Sequence, residues 1–176
     1  MKTFIITGER EGGKTLFIRD LYQYLERKKI EAHGFISKGI FTGDGCKDFE
    51  IHALHTGKNI HLASRKETGG YKKYGRFYFN PSAIRFGELI LQEAVRKRIR
   101  VILIDEIGPI ELNDGVWSNM LQNIISRHKK ILVITVRKKL IHEVIEKFQI
   151  NNYRIKDINT STVKETAEEI FEFLSF

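Results

Sequence analysis

At 176 residues the chain sits near the usual size of one domain and is long enough to bury a substantial core without disulfides. Hydrophobic residues make up 41% and charged residues 30%, a balance that excludes a disordered chain, and no apolar stretch approaches the length needed to cross a bilayer. The net charge of +8 favours polyanions, whether nucleic acid or nucleotide phosphates, without choosing between them.

Residues 2–7, KTFIIT, read as a short buried strand. Residues 1–20 lack the basic start, long apolar centre and cleavage site of a signal peptide, because Gly8 and Glu9 interrupt the apolar run Phe4 to Ile6. The cytoplasm is the expected compartment. A single cysteine, Cys46, agrees with a reducing interior and leaves no zinc site built on cysteine pairs; it is expected in a turn rather than in a site. Phe17, Leu21, Tyr24 and Leu25 then form a helical stripe, so the chain opens strand, glycine-rich loop, helix.

From about Ala32 to Lys66 the period shortens. HGFISKGIF, DFEIHALH and NIHLASRK are separated by Gly43-Asp44-Gly45 and by Gly57-Lys58, the pattern of an antiparallel meander. ETGGYKKYGRFYFN reads as a surface loop ending in a short extended piece, after which Asn80-Pro81 supplies an N-cap and N1 proline for a helix to about Arg98. RVILID (100–105) and KILVITV (130–136) are apolar strands, with a helix of about a dozen residues between them starting near Asp114. A helix at about 138–148, a short strand at 153–158 and a last helix follow. That helix carries the stripe Val163, Ala167, Ile170, Phe171 and Leu174, behind a Thr162/Glu165 capping box. Strands rich in Ile and Val that alternate with helices predict an α/β fold with a mostly parallel sheet flanked by helices. The meander adds antiparallel strands to that sheet, in a single domain spanning residues 1–176, because no linker or repeat divides the chain.

Gly8, Gly13, Lys14 and Thr15 satisfy G-x-x-x-x-G-K-[ST]. Glycines let consecutive N–H groups turn toward phosphate oxygens, and the helix that follows aims its positive end at the same place. Lys14 would reach the β and γ phosphates, and the Thr15 hydroxyl would hold Mg²⁺. Glu9, Arg10, Glu11 and Gly12 form the arch of the loop and count among the nucleotide-contacting residues; Arg10 either reaches over the phosphates or balances its acidic neighbours. By chance the pattern arises roughly once in 100 to 200 chains of this length, and its place between strand and helix lowers that further, so phosphate binding is the reading adopted.

VILIDEIGPIEL supplies the partner. Asp105 and Glu106 stand at the carboxyl end of a buried strand, where open α/β sheets bind ligands. Asp105 would hold the magnesium and Glu106 would act as general base toward water. At the end of the next strand, Thr135 would contact the γ phosphate or the water, and Arg137 would meet developing charge. Two other readings share the loop. A small-molecule or nucleotide kinase would use Arg137 to Lys139, or the Lys72 to Arg76 loop, as a lid. A nucleotide-gated nucleic-acid-binding module would use the basic runs at 72–76, 96–100 and 137–139. His52 and His55 should point to opposite faces of their hairpin, while His52 and His61 share one, a thin basis for a metal site. Trp117 reads as core or groove lining.

The stretches TGEREGGKT, GFISKGI, FEIHALHTGK, the Asn80-Pro81 helix start and above all LIDEIGPIEL resemble the small THEP-type P-loop nucleoside-triphosphatases over about residues 1–140. The resemblance implies a RecA-like P-loop domain, monomeric or a weak homo-oligomer. It also implies slow, magnesium-dependent hydrolysis of ATP, GTP, CTP and UTP with little base selectivity. One departure is Pro109, where the family often reads D-E-I-G-K-M-E; it bears on rate rather than on nucleotide binding.

Overall fold

Three strands fix the centre of the molecule: β1 (Lys2–Gly8), β7 (Val101–Ile107) and β8 (Ile131–Arg137). Each reads as a continuous apolar run because each is covered on both faces. Ile5, Ile102, Ile104, Leu132, Ile134 and Val136 turn to one face and join a core with the helices α2 (Pro81–Arg96) and α4 (Ser118–Arg127). Phe4, Ile6, Val101, Leu103, Ile131 and Val133 turn to the other and pack on α1 (Lys14–Arg27) and α6 (Val163–Leu174). The computed structural model describes residues 1–42, 45–127 and 130–174, with side chains described for all of these except 41, 42 and 45–47.

Among the described residues the sheet has nine strands, in the order β5-β6-β4-β3-β2-β7-β8-β1-β9. Its half from β2 (Ala32–Thr42) to β9 (Tyr153–Asp157) is parallel. The rest is antiparallel: β3 (Gly45–Ala53), β4 (Asn59–Ser64), β5 (Lys72–Tyr74) and β6 (Phe77–Phe79). The predicted meander is therefore part of the same sheet, and longer than expected. The stretch 67–80, expected as a loop ending in a short extended piece, has that piece as β6 and folds its Tyr74–Phe77 turn into a hairpin, with Lys72 facing Phe79 and Tyr74 facing Phe77. Gly75, at φ 58, supplies the left-handed backbone of that turn.

Cys46 belongs to β3 by its backbone, paired with Phe41, rather than to a turn; its side chain lies outside the described residues, as do Gly43 and Asp44 of the expected turn. The helix expected from Asp114 begins only at Ser118, because Asp114 and Val116 hold φ of 57° and 42°, which an α-helix cannot contain. A four-residue helix, α3 (Pro109–Leu112), precedes it instead. The helix expected at 138–148 is a turn of 3₁₀ helix at Lys138–Leu140 followed by α5 (Ile141–Lys147). At the end of the chain Thr162 and Glu165 form the predicted capping box, Thr162 N–H to Glu165 at 2.9 Å and Glu165 N–H to Thr162 at 3.1 Å. Among the described residues no helix is long and apolar enough to cross a membrane.

Candidate active site

Parallel strands end at one edge of their sheet, and the loops after β1, β7 and β8 meet there. Between β1 and α1, Glu11 (φ 58) and Gly13 (φ 100) turn the backbone into left-handed conformations. A Cβ on Gly8 would stand 2.7 Å from Ile158 Cγ1, so a side chain there would have to displace Ile158. No side chain caps α1, and the first N–H groups of any helix lack intrahelical acceptors, so this end is open to an anion. Lys14 Nζ stands over the arch, donating to the carbonyls of Gly8 at 3.2 Å and Glu9 at 2.6 Å. Desolvation lowers its pKa, against the opposing pull of Glu106 and Asp105.

Asp105 is the hub. Its Oδ2 accepts from the Thr15 hydroxyl at 2.7 Å and from the Ser37 N–H at 3.2 Å, and its Oδ1 accepts from the Thr135 hydroxyl at 2.6 Å. Loop helix, β2 and β8 are thus tied to one carboxyl of β7. Burial pushes Asp105 up to about 6, although the Thr135 and Thr15 hydrogen bonds work the other way. Thr135, expected at the γ phosphate or the water, is buried with its hydroxyl on Asp105.

Glu106 sits one residue along, where the β7/β8 register breaks between Ile104 and Ile107, and holds φ at 114°. Irregular pairing of this kind re-aims a side chain, and here Glu106 meets Arg137, whose guanidinium donates to Glu106 Oε1. Arg10 and Glu11 pair at 3.4 Å with both side chains more than half exposed, so within the chain Arg10 balances an acidic neighbour.

The sequence did not single out Glu111. It is buried, and its Oε2 accepts the Gly108 N–H at 3.0 Å, which caps α3 and fixes the loop directly after Glu106. Desolvation pushes its pKa up to about 7, with the charge of Glu106 adding to the rise. The signal was Gly108-Pro109 with a glutamate at N3, a helix-start pattern inside the motif.

Lys14, Thr15, Asp105, Glu106, Glu111, Thr135 and Arg137 line one cavity of about 750 Å³ together with Arg10 to Gly13 of the loop. Its far side is apolar and aromatic, built by Phe49, Leu62, Phe77, Phe79 and Trp117, with Arg65 and Arg76 among them. Tyr74, Gly75 and Arg76, in the stretch weighed as a lid, bring the hairpin to this wall. His52 and His61 do not come together: His52 bonds to Asn59, and His61 lies 3.0 Å from the Tyr71 hydroxyl and 3.3 Å from Asp48.

Comparison with known proteins finds matches along nearly the whole chain. A family described as NTPase matches residues 3–171. The nucleoside-triphosphatase THEP1 of Archaeoglobus fulgidus is 26% identical over 170 residues, 96% of each chain, and that of Thermotoga maritima is 26% identical over 174 residues, 98% of this chain and 95% of the relative. The crystal structure of THEP1 from Aquifex aeolicus superposes with a TM-score of 0.74 at 25% identity, each chain covered in full. A human cancer-related nucleoside triphosphatase, 17% identical, shares the fold with a TM-score of 0.71. With its phosphate loop, its Asp-Glu strand end and this match over residues 3–171, the chain belongs to the THEP-type P-loop nucleoside-triphosphatase family.

Proposed function

We propose that the chain binds nucleoside triphosphates at the loop of residues 8–15 and hydrolyses them, with magnesium, to the diphosphate and phosphate. The observation that carries this reading is the Thr15–Asp105 hydrogen bond, which joins phosphate loop and acidic strand end across 90 positions of sequence. Beside it stands the Arg137–Glu106 pair.

The donor set fits magnesium. Thr15 Oγ1 and Asp105 Oδ2 are hard oxygens already 2.7 Å apart, and a desolvated carboxyl whose pKa has risen to about 6 gains from a nearby cation. Thr15 and Asp105 would hold the ion, which would supply positive charge to offset that of the phosphates. Lys14 Nζ stands where phosphate oxygens would accept from it. Transfer of the Arg137 guanidinium from Glu106 to the γ phosphate would set a cation at the developing charge. The same movement frees Glu106 to take a proton from the attacking water. Activity toward ATP, GTP, CTP and UTP alike belongs to the proposal, because the loop addresses phosphate rather than base. So do a single-domain architecture, a monomer or weak homo-oligomer, and a cytoplasmic setting.

The test is Glu106→Gln, with nucleotide binding and phosphate release measured on the same preparation. Binding should persist while turnover falls; undiminished turnover would remove the base assignment. The apolar side of the cavity favours a second reading, phosphoryl transfer to an acceptor seated against Phe49, Phe77 and Trp117. Inorganic phosphate released from γ-labelled ATP in water, with no added acceptor, supports hydrolysis over transfer.

A further inference from the structure

His33 and His55 lie at the opposite edge of the sheet from the phosphate loop, His33 at the start of β2 and His55 just past the end of β3. They are 22 residues apart in sequence, yet their rings stack with centroids 3.9 Å apart and planes within 8°. Gly34 makes this possible. It holds φ at 151° with its backbone against Leu103, where a Cβ would come within 1.9 Å of the Leu103 carbonyl oxygen, and its own carbonyl accepts the Leu54 N–H at 3.0 Å.

The Nδ1 atoms of both histidines are buried without a partner among the described residues, a cost that buried polar groups rarely carry unexplained. The Nε2 atoms instead face carboxylates: His33 Nε2 lies 3.4 Å from Glu31, and His55 Nε2 lies 3.6 Å from Glu93 Oε2. Glu93 divides its oxygens, Oε1 taking Lys97 Nζ at 2.8 Å and leaving Oε2 toward the imidazoles. An ordered partner on the second oxygen is how outer groups orient metal-binding carboxylates. Ligand atoms of His33, His55 and Glu93 all lie within 4.8 Å of one another. A tetrahedral ion with bonds near 2.0–2.1 Å needs its donors roughly 3.4 Å apart, a closure within reach of small side-chain rotations. Desolvation, with the neighbouring imidazole adding to it at His33, lowers both histidine pKa values and favours the neutral form that binds metals.

We propose that His33, His55 and Glu93, with Glu31 as fourth donor at the solvent rim, form a structural site for one divalent ion of the zinc class. Two imidazoles exclude magnesium as the preferred occupant, and imidazole with carboxylate suits Zn²⁺ or Co²⁺. The ion would pin α2 and the β3–β4 turn to the start of β2, independently of the nucleotide site.

The experiment uses the untagged full chain, stripped with a chelator and free of nucleotide. Zn²⁺ alone is titrated by calorimetry and Co²⁺ by its visible absorption. One ion per chain is expected, with a tetrahedral cobalt spectrum and a higher thermal midpoint. Glu93→Gln should weaken binding by about tenfold or more. His55→Ala should abolish it, whereas Lys14→Ala and His61→Ala should leave it unchanged. If His55→Ala does not fold, Glu93→Gln and the cobalt spectrum decide. No stoichiometric binding, or binding unaffected by Glu93→Gln and His55→Ala, overturns the proposal and leaves the stack as a pair of histidine–carboxylate contacts.

Discussion

Asp105 and Glu106 are neighbours in sequence and opposites in surroundings. Asp105 is enclosed and bonded by Thr15, Thr135 and Ser37, while Glu106 is partly open and paired with Arg137. That contrast supports giving the first a holding role and the second a proton-taking role. Removal of the Lys14 ammonium should weaken triphosphate binding and turnover together. Glu106→Gln should cut turnover by roughly 10²- to 10⁴-fold with binding nearly intact, read by phosphate release against equilibrium binding. Glu111 gives a pH prediction. Its pKa rises from 4.5 in the free side chain to about 7 in the fold, so between these values the folded chain binds more protons than the unfolded one. Its contribution to stability is therefore complete below about pH 4.5 and is lost as pH rises through 7. The slope for one such group is at most about 1.4 kcal/mol per pH unit. Asp105 adds a similar loss lower in the range, through about 6. Glu111→Gln keeps an acceptor for the Gly108 N–H and cannot ionise, so urea unfolding between pH 6 and 8 should show a flatter decline than the parent chain. Identical slopes would show that Glu111 does not titrate in the fold.

At the scale of elements, α2 depends on one residue at its start. Asn80 Oδ1 accepts the Ser82 N–H at 3.0 Å, and its Nδ2 donates to the His61 carbonyl at 3.0 Å, so the cap also fastens the helix to β4. Asn80→Ala should cost about 1–2 kcal/mol in urea unfolding and Asn80→Asp less, since aspartate keeps the cap and loses only the link to β4. This start was legible because cap and N1 proline act within three residues, and the parallel strands were legible because burial on both faces leaves an unbroken apolar run. Of the β5–β6 hairpin only the extended end was: a three-residue strand such as β5 carries too little alternation to stand out among Lys72, Lys73, Gly75 and Arg76. The false helix start at Asp114 came from periodicity, which does not register the left-handed backbone at Asp114 and Val116. The phosphate loop and Asp105-Glu106 were readable as motifs, because the residue types themselves state the chemistry. Glu111 and the His33–His55 stack were not, because their character comes from burial and from a contact between strands that only the fold creates.

Across the whole molecule the proposed nucleotide site would act as a clasp. The phosphate loop belongs to β1 and α1, Asp105 and Glu106 to β7, and Thr135 and Arg137 to β8, so an occupant touching Lys14, Asp105 and Arg137 would bear on three strands of the parallel half at once. A ligand that binds only the folded chain stabilises it by RT ln(1 + [L]/Kd), about 2.7 kcal/mol at 100 times Kd. For a chain of this size, about 1 kcal/mol moves the thermal midpoint by roughly 2–4 °C. A non-hydrolysable ATP analogue with magnesium at 100 times Kd should therefore raise the midpoint by about 5–11 °C. Glu106→Gln should show a shift of similar size, since the proposed base acts after binding. Lys14→Ala, held at the same ligand concentration, should show little. If the analogue shifts Lys14→Ala as far as the parent chain, the stabilising contacts lie elsewhere in the cavity, and the aromatic wall of Phe49, Phe77 and Trp117 becomes the place to look for them.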